Sequence, residues 1–171
     1  MSSSRHRLLP ELRCYACVVP SSVFICRLQS LDDFVHVGRL LAGESVKSMA
    51  PRGVRSELKK AIVYTDAGVQ VHEKAMIGTG CIIGGGVVID GPCSCKKSTL
   101  GQHSRIMANT KIQTSVMLDH VTVGDGAVVK NSVIGSNVII EAGCVVENAV
   151  IGYGMKTEKG KKYSDDTFLA Q

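Results

Sequence analysis

The sequence predicts a mainly β solenoid with three walls, and three observations carry that prediction. Leu100, Met117, Ile134 and Ile151 recur at a constant spacing of seventeen, with KKSTLG, QTSVML, KNSVIG and ENAVIG in one register around them. The spacing divides into six, six and five. After a lead-in at Ile77, anchors stand at Ile83, Ile89 and Cys95, then Leu100, Ile106 and Ile112, then Met117, Val123 and Val129, then Ile134, Ile140 and Val146, and finally Ile151. From Thr65 to Gly152 there is no Phe, Tyr or Trp. Self-similarity at a short fixed period marks a stack in which each repeat buries its apolar face only against the next. An interior enclosed by three short walls is too narrow for stacked rings.

A second series of small or short-branched residues runs beside the anchors: Cys81, Val87, Cys93, Ser98, Ser104, Thr110, Ser115, Val121, Ala127, Ser132, Val138, Cys144 and Ala149. Residues two apart share one face of a strand, so each precedes an anchor as a further inward position. A helix would need spacings of three and four. Gly78, Gly84, Gly101, Gly124, Gly135 and Gly152 each follow an anchor, a density that would cost any helix about 1 kcal/mol per site. Five coils at roughly 4.8 Å each predict a prism about 24 Å long.

The N-terminal third differs. Cys14 to Val19 and Val23 to Leu28 are expected as short strands flanking Pro20, Ser21 and Ser22. Ser30 is placed to cap a helix over Leu31 to Leu41, with Asp32 and Asp33 in its first turn and Gly43 beyond its end. These elements are too few for a core of their own. The expected organisation is therefore a small α+β remnant over residues 1–43, a linker over 44–60 with Pro51 and Gly53, the solenoid over 61–157 with its first coil at about Ile62, and a polar tail over 158–171.

Charge narrows the partners. The formal net charge is +5. Residues 1–60 hold ten Lys or Arg against five Asp or Glu, and residues 61–154 hold six against seven, so the solenoid is nearly neutral. Arg5, Arg7, Arg13, Arg27, Arg39, Arg52 and Arg55 are dispersed and lack the aromatic platforms of single-strand binders, which argues against direct nucleic-acid binding. No apolar run reaches the eighteen or so residues of a membrane helix, and MSSSRHR is not followed by an apolar stretch, so a soluble, cytosolic protein is expected.

The reactive residue types are absorbed by the register. Cys81, Cys93 and Cys144 hold small inward positions and Cys95 an anchor position, which makes them compact hydrophobes. Cys14 and Cys17 form a CxxC, but residues three apart on a strand face opposite sides, and no second pair accompanies them. Gly84 to Gly86 runs straight into Val87, Val88 and Ile89, with no helix following, so it is a coil corner and not a phosphate loop. His103 and His120, seventeen apart, should stack outward on adjacent coils, between Gly86 and Asn137 of the same ladder. No catalytic, cofactor-binding or metal-binding residue is assigned, and no cofactor.

The repeats NSVIG and NAVIG in a six, six, five pattern resemble the left-handed parallel β-helix built from hexapeptide repeats. With LRCYACVVPSSVFICRLQSLDDFVHVGRLLAG, which contains RCY at Arg13 to Tyr15, and the ending KTEKGKKYSDDTFLAQ, the chain resembles the C-terminal part of the gamma subunits of eukaryotic translation initiation factor 2B. The resemblance implies a non-catalytic assembly role in the complex that exchanges guanine nucleotide on initiation factor 2. The implied partners are the epsilon subunit, which carries catalysis, the other subunits, and initiation factor 2 itself. Full gamma subunits begin with a nucleotidyltransferase-like domain and its glycine-rich loop; this chain has no such loop, and residues 1–43 are read as that domain's last strands and helix. Two competing resemblances are weighed. One is the C-terminal β-helix of a sugar-nucleotide pyrophosphorylase such as mannose-1-phosphate guanylyltransferase. The other is a trimeric hexapeptide-repeat acyltransferase or zinc enzyme using His103 and His120.

Overall fold

The computed structural model describes residues 25–27, 29, 30, 33, 36, 37, 56–58, 61–63 and 68–169. Nineteen strands of two or three residues lie in this set, short because a corner interrupts the chain about every six residues. In chain order they are β1 (Ser56–Leu58), β2 (Ala61–Val63), β3 (Gln70–Val71), β4 (Met76–Ile77), β5 (Ile82–Ile83), β6 (Val88–Ile89), β7 (Ser94–Lys96), β8 (Thr99–Leu100), β9 (Arg105–Ile106), β10 (Lys111–Gln113), β11 (Val116–Met117), β12 (Thr122–Val123), β13 (Val128–Lys130), β14 (Val133–Ile134), β15 (Ile139–Ile140), β16 (Val145–Glu147), β17 (Val150–Ile151), β18 (Lys162–Ser164) and β19 (Thr167–Phe168).

From β2 to β17 every third strand joins the same wall. Wall A contains β1-β2-β5-β8-β11-β14-β17-β19, wall B contains β15-β12-β9-β6-β3, and wall C contains β18-β16-β13-β10-β7-β4. β18 and β19 follow β16 and β17, because in the last turn wall B has only an isolated bridge from Ile139 to Lys156. Apart from β1 with β2, the paired strands are parallel, with Met117 beside Leu100 and Ile134, and Ile112 beside Cys95 and Val129. The predicted parallel solenoid is thus the observed fold.

The anchors and their small companions line the interior. Of the anchors, Ile83, Ile106, Met117, Val123, Val129, Ile134, Ile140 and Val146 are completely buried, and the others nearly so. The serines among the companions solve a hydrogen-bonding problem at a wall A corner. Ser98, Ser115 and Ser132 each donate a hydroxyl to the carbonyl two residues earlier (Lys96, Gln113 and Lys130, at 2.7, 2.7 and 2.6 Å). Each hydroxyl also accepts a backbone N–H from the next turn, from Ser115, Ser132 and Ala149 at 3.2, 3.3 and 3.1 Å. A buried hydroxyl left unpaired would be costly, and this column leaves none of the three so.

Glycine after an anchor has a packing cause. A Cβ on Gly101 would come within 2.4 Å of the Leu118 carbonyl carbon, and one on Gly135 within 2.8 Å of the Tyr153 nitrogen, both backbone atoms of the following turn. The turns are simply too close there for a side chain.

Two boundaries differ from expectation. Residues 56–58, expected in the linker, form β1 and pair antiparallel with β2, so a hairpin starts wall A. The stack also continues beyond residue 157: β18 pairs with β16 and β19 with β17, so the segment expected as a polar tail adds a turn and the prism has about six. Its hydrophilic composition hid two inward rings, Tyr163, buried above Val146, and Phe168, above Ile151. They meet edge to face at 5.0 Å between centroids. Rings are accommodated at this last turn, where no further turn packs above them among the described residues.

At the N-terminal side, Ile25 to Arg27 form no strand, having no ladder partner among the described residues. The Ser30 cap is observed: Asp33 N donates to Ser30 Oγ at 3.1 Å, Ser30 N donates back to Asp33 Oδ2 at 3.0 Å, and Asp33, His36 and Val37 are helical. Backbone hydrogen bonding from Gln29, then the Ser30 hydroxyl, holds the Asp33 carboxyl below its ordinary value. The rest of the expected helix, the strand Cys14 to Val19, and the RCY at Arg13 to Tyr15 lie outside the described residues.

Candidate interaction surface

The three walls bury equivalent interiors and show different exteriors. The outward row of wall A reads Ile82, Thr99, Val116, Val133 and Val150, and Gly84, Gly101, Leu118, Gly135 and Gly152 follow the inward anchors beside it. Neither series carries a charge. Val116, in the middle of the outward row, is itself buried at 5%.

Wall B carries Arg105 ion-paired with Asp90 at 2.5 Å and Lys156 with Glu141 at 3.0 Å. Wall C carries Met76, Ser94, Lys111, Val128, Val145 and Lys162, and a second outward row with Lys96, Gln113, Lys130 and Glu147. Glu147 binds Lys130 at 2.7 Å and Lys162 at 3.3 Å across successive turns. Hydrogen bonds from those two lysines hold its carboxyl below the ordinary carboxylate value. Charge thus enters the outward faces of two walls, among uncharged Val88, Thr122 and Ile139 on wall B and Met76, Val128 and Val145 on wall C, while the wall A row from Ile82 to Val150 carries none.

His103 and His120 stack as predicted, with centroids 5.2 Å apart and planes 17° from parallel, both exposed. The structure adds the reason for their place in the repeat. Both have positive φ, 54° and 59°, as do Gly86 and Asn137 at the same corner in the turns on either side. That left-handed conformation is open mainly to Gly, Asn, Asp and His, so the position selects for backbone geometry. Each backbone N–H donates to the preceding turn, His103 N to Gly85 O and His120 N to Gln102 O, both at 2.8 Å. A neighbouring corner also turns at positive φ but is less selective: Gly80, Lys97 and Thr114 precede an amide ladder there, in which Asn131 Nδ2 donates to Asn148 Oδ1, and Asn148 Nδ2 to Asp165 Oδ1, both at 3.0 Å. Gly86 is likewise a positive-φ corner, at 68°.

The cysteines Cys81, Cys93, Cys95 and Cys144 are buried at their predicted positions, and Cys14 and Cys17 lie outside the described residues. Among the described residues no three His, Cys, Asp or Glu side chains gather as a metal site, and no helix is long and apolar enough to cross a membrane. A recess of about 680 Å³ at the C-terminal rim is lined in part by Lys156, Lys161, Lys162, Tyr163 and Phe168. Its lysines are engaged by carboxylates, Lys161 with Glu158 at 2.8 Å and the others as above. That pairing leaves little uncompensated charge for an anion.

Repeat, walls and corners define a hexapeptide-repeat β-helix domain. A family model described as the EIF2B subunit epsilon LbH domain, LbH denoting left-handed β-helix, matches residues 60–162, more than half of the chain. The chain belongs to that family. Its description names epsilon, so it supports the initiation-factor 2B relationship without the gamma assignment. No curated protein sequence matches the chain.

Among solved structures, PerB from Caulobacter crescentus in complex with CoA and GDP-perosamine aligns at 13% identity and a TM-score of 0.42, over 61% of this chain and 52% of that one. Serine acetyltransferase isoform 3 from Entamoeba histolytica, in complex with cysteine, aligns at 17% identity and a TM-score of 0.39, over 61% of this chain and 35% of that one. The chain therefore spans about half of the first and a third of the second, and likeness at this level carries nothing about chemistry.

Proposed function

We propose that this chain is a non-catalytic assembly subunit, of gamma type, in the guanine-nucleotide exchange complex for translation initiation factor 2, and that it pairs there with the catalytic epsilon subunit in the cytosol. The observation that carries the reading is the uncharged outward row of wall A from Ile82 to Val150, on a domain of the EIF2B LbH family. A preformed β wall loses little conformational entropy on docking, and its outward β-branched row has no charge to desolvate. Hydrophobic patches of this sort favour protein contacts over small-molecule chemistry.

The gamma assignment rests on the segment containing RCY, on the expected linker over residues 44–60 and on the ending KTEKGKKYSDDTFLAQ. The test is co-expression of the tagged chain with epsilon and the remaining subunits, followed by capture and by GDP release from initiation factor 2. Capture of epsilon, with no exchange by the chain alone, is the expected result. Failure to retain epsilon, together with a homotrimer that transfers acetyl groups or holds zinc, would end the assembly reading.

A further inference from the structure

Two columns of the interior converge on a pair of thiols that the repeat does not require. The column of Cys81 continues as Ser98, Ser115, Ser132 and Ala149, and that of Cys95 runs from Ile77 through Ile112, Val129 and Val146 to Tyr163. Serine satisfies the first position and an aliphatic side chain the second in the turns beyond. Cysteine occurs in each where the two columns touch, and the sulfurs of Cys81 and Cys95 lie 3.7 Å apart, with both residues buried.

We propose that Cys81 and Cys95 are an oxidisable pair, which a peroxide converts to a disulfide tying the start of one turn of the prism to its end. The distance requires the sulfurs to close from 3.7 Å to the disulfide length of about 2.05 Å. The environment divides the roles. The contact with Cys95 is the main influence pulling the Cys81 thiol down to about 7; backbone hydrogen bonds from Ser98 and Lys97 add to it, and burial opposes it. The same contact and deep burial push Cys95 up. In the proposed reaction Cys81 is the nucleophile and Cys95 the partner that gives up its proton in the second step.

In the first step the Cys81 thiolate attacks one peroxide oxygen, the O–O bond breaks, and sulfenic acid and hydroxide result. In the second, the Cys95 sulfur attacks the Cys81 sulfur, the S–O bond breaks, and the oxygen leaves as water with the Cys95 proton. Two thiols lose two electrons in all, and the peroxide is reduced to two waters once the hydroxide takes up the proton first lost by Cys81. Hydrogen peroxide is small and neutral. Access requires only local opening, because β4, which precedes Cys81, pairs with β7 alone and forms an edge of wall C.

The test is native peroxide treatment of the full chain, alkylation of remaining thiols in denaturant, and non-reducing peptide mapping. The expected product is a linked Cys81–Cys95 peptide, two hydrogens lighter than the separate peptides and separated again by dithiothreitol. Cys144, whose Sγ donates to the Glu158 carbonyl at 2.9 Å, should remain alkylatable. Amide exchange at Gly78 and Ile82 should slow severalfold after oxidation.

Cys81→Ser and Cys95→Val, each a residue already used in its column, should abolish the link while leaving the far-ultraviolet circular dichroism unchanged. Should either variant unfold, the map of the unmodified chain decides alone. The proposal is overturned if Cys81 and Cys95 both stay alkylatable while exposed Cys26 oxidises, if Cys81 proceeds to sulfinic acid unlinked, or if either pairs with Cys93.

Discussion

Walls A and C share one interior and face outward differently. Ile134 behind wall A and Val129 behind wall C are both fully buried, and each stacks on its equivalent seventeen residues away. Outside, wall A shows Val133 where wall C shows Val128 beside Lys130 and its ion pair with Glu147. Stacking accounts for the inward rows, since each turn must bury the one below. It does not fix the outward rows, where β-branched residues are the better strand formers and charged residues are tolerated. The exterior difference is the feature on which the proposed docking by wall A rests.

The largest effect should come from breaking what the walls share. Ile134→Ala and Ile112→Ala should each cost about 2–5 kcal/mol, to a similar degree, because both create a cavity in a closed stack. Denaturant unfolding measures this, and a much smaller loss at either would show a wall that is not packed against the common interior. Ser115→Ala comes next, at about 1–3 kcal/mol, since it removes the hydroxyl that accepts from the buried Ser132 N–H, while the Gln113 carbonyl keeps its bond from Asn131 N.

The contrast itself is tested by placing a carboxylate on each exterior. Val133→Glu should weaken capture of epsilon on the order of tenfold or more, because a charge without a partner would be buried at the interface. Lys111→Glu on wall C should leave capture nearly unchanged. The reverse outcome in pull-down titrations would move the docking surface from wall A to wall C.

A smaller effect separates backbone from chemistry at the imidazole corner. His120→Val should cost about 1–2 kcal/mol by forcing a β-branched residue into positive φ, whereas His120→Asn should keep stability. Any loss of function in the stable Asn variant would restore the case for an imidazole role.

The smallest effect is a pH dependence on wall C. Lys130 and Lys162 lower the folded-state pKa of Glu147, so its contribution is present above the ordinary carboxylate pKa and is lost as pH falls through the depressed folded value. Melting temperatures of the protein and of Glu147→Gln should therefore converge on acidification through and below the usual carboxylate range. A gap that widens instead would reverse the sign of the linkage.

Much of this was legible because the repeat does the work of an alignment. Comparing Leu100 with Ile134, or Ser98 with Ser132, identifies inward positions without coordinates, and the stacking of His103 on His120 follows from their shared offset. The closing turn was obscured because Lys161, Lys162, Asp165 and Asp166 surround Tyr163 and Phe168 with polarity, and the rings replace the aliphatic anchors the pattern leads one to seek. The hairpin of β1 and β2 was missed for a related reason: it lies before the periodic region, in a segment of mixed composition. The family match names epsilon where the sequence resemblance named gamma, and stacked coils share the same side-chain demands.

By itself the sequence determined which residues share a column and that the columns face inward, because a seventeen-residue period brings every seventeenth residue to the same point on the coil. Only the tertiary structure decided what happens between columns and at the ends. The approach of Cys81 to Cys95, the left-handed corners at His103 and His120, and the ring pair of the last turn depend on how corners bend and where stacking stops. Those are three-dimensional distances, and a one-dimensional period does not contain them.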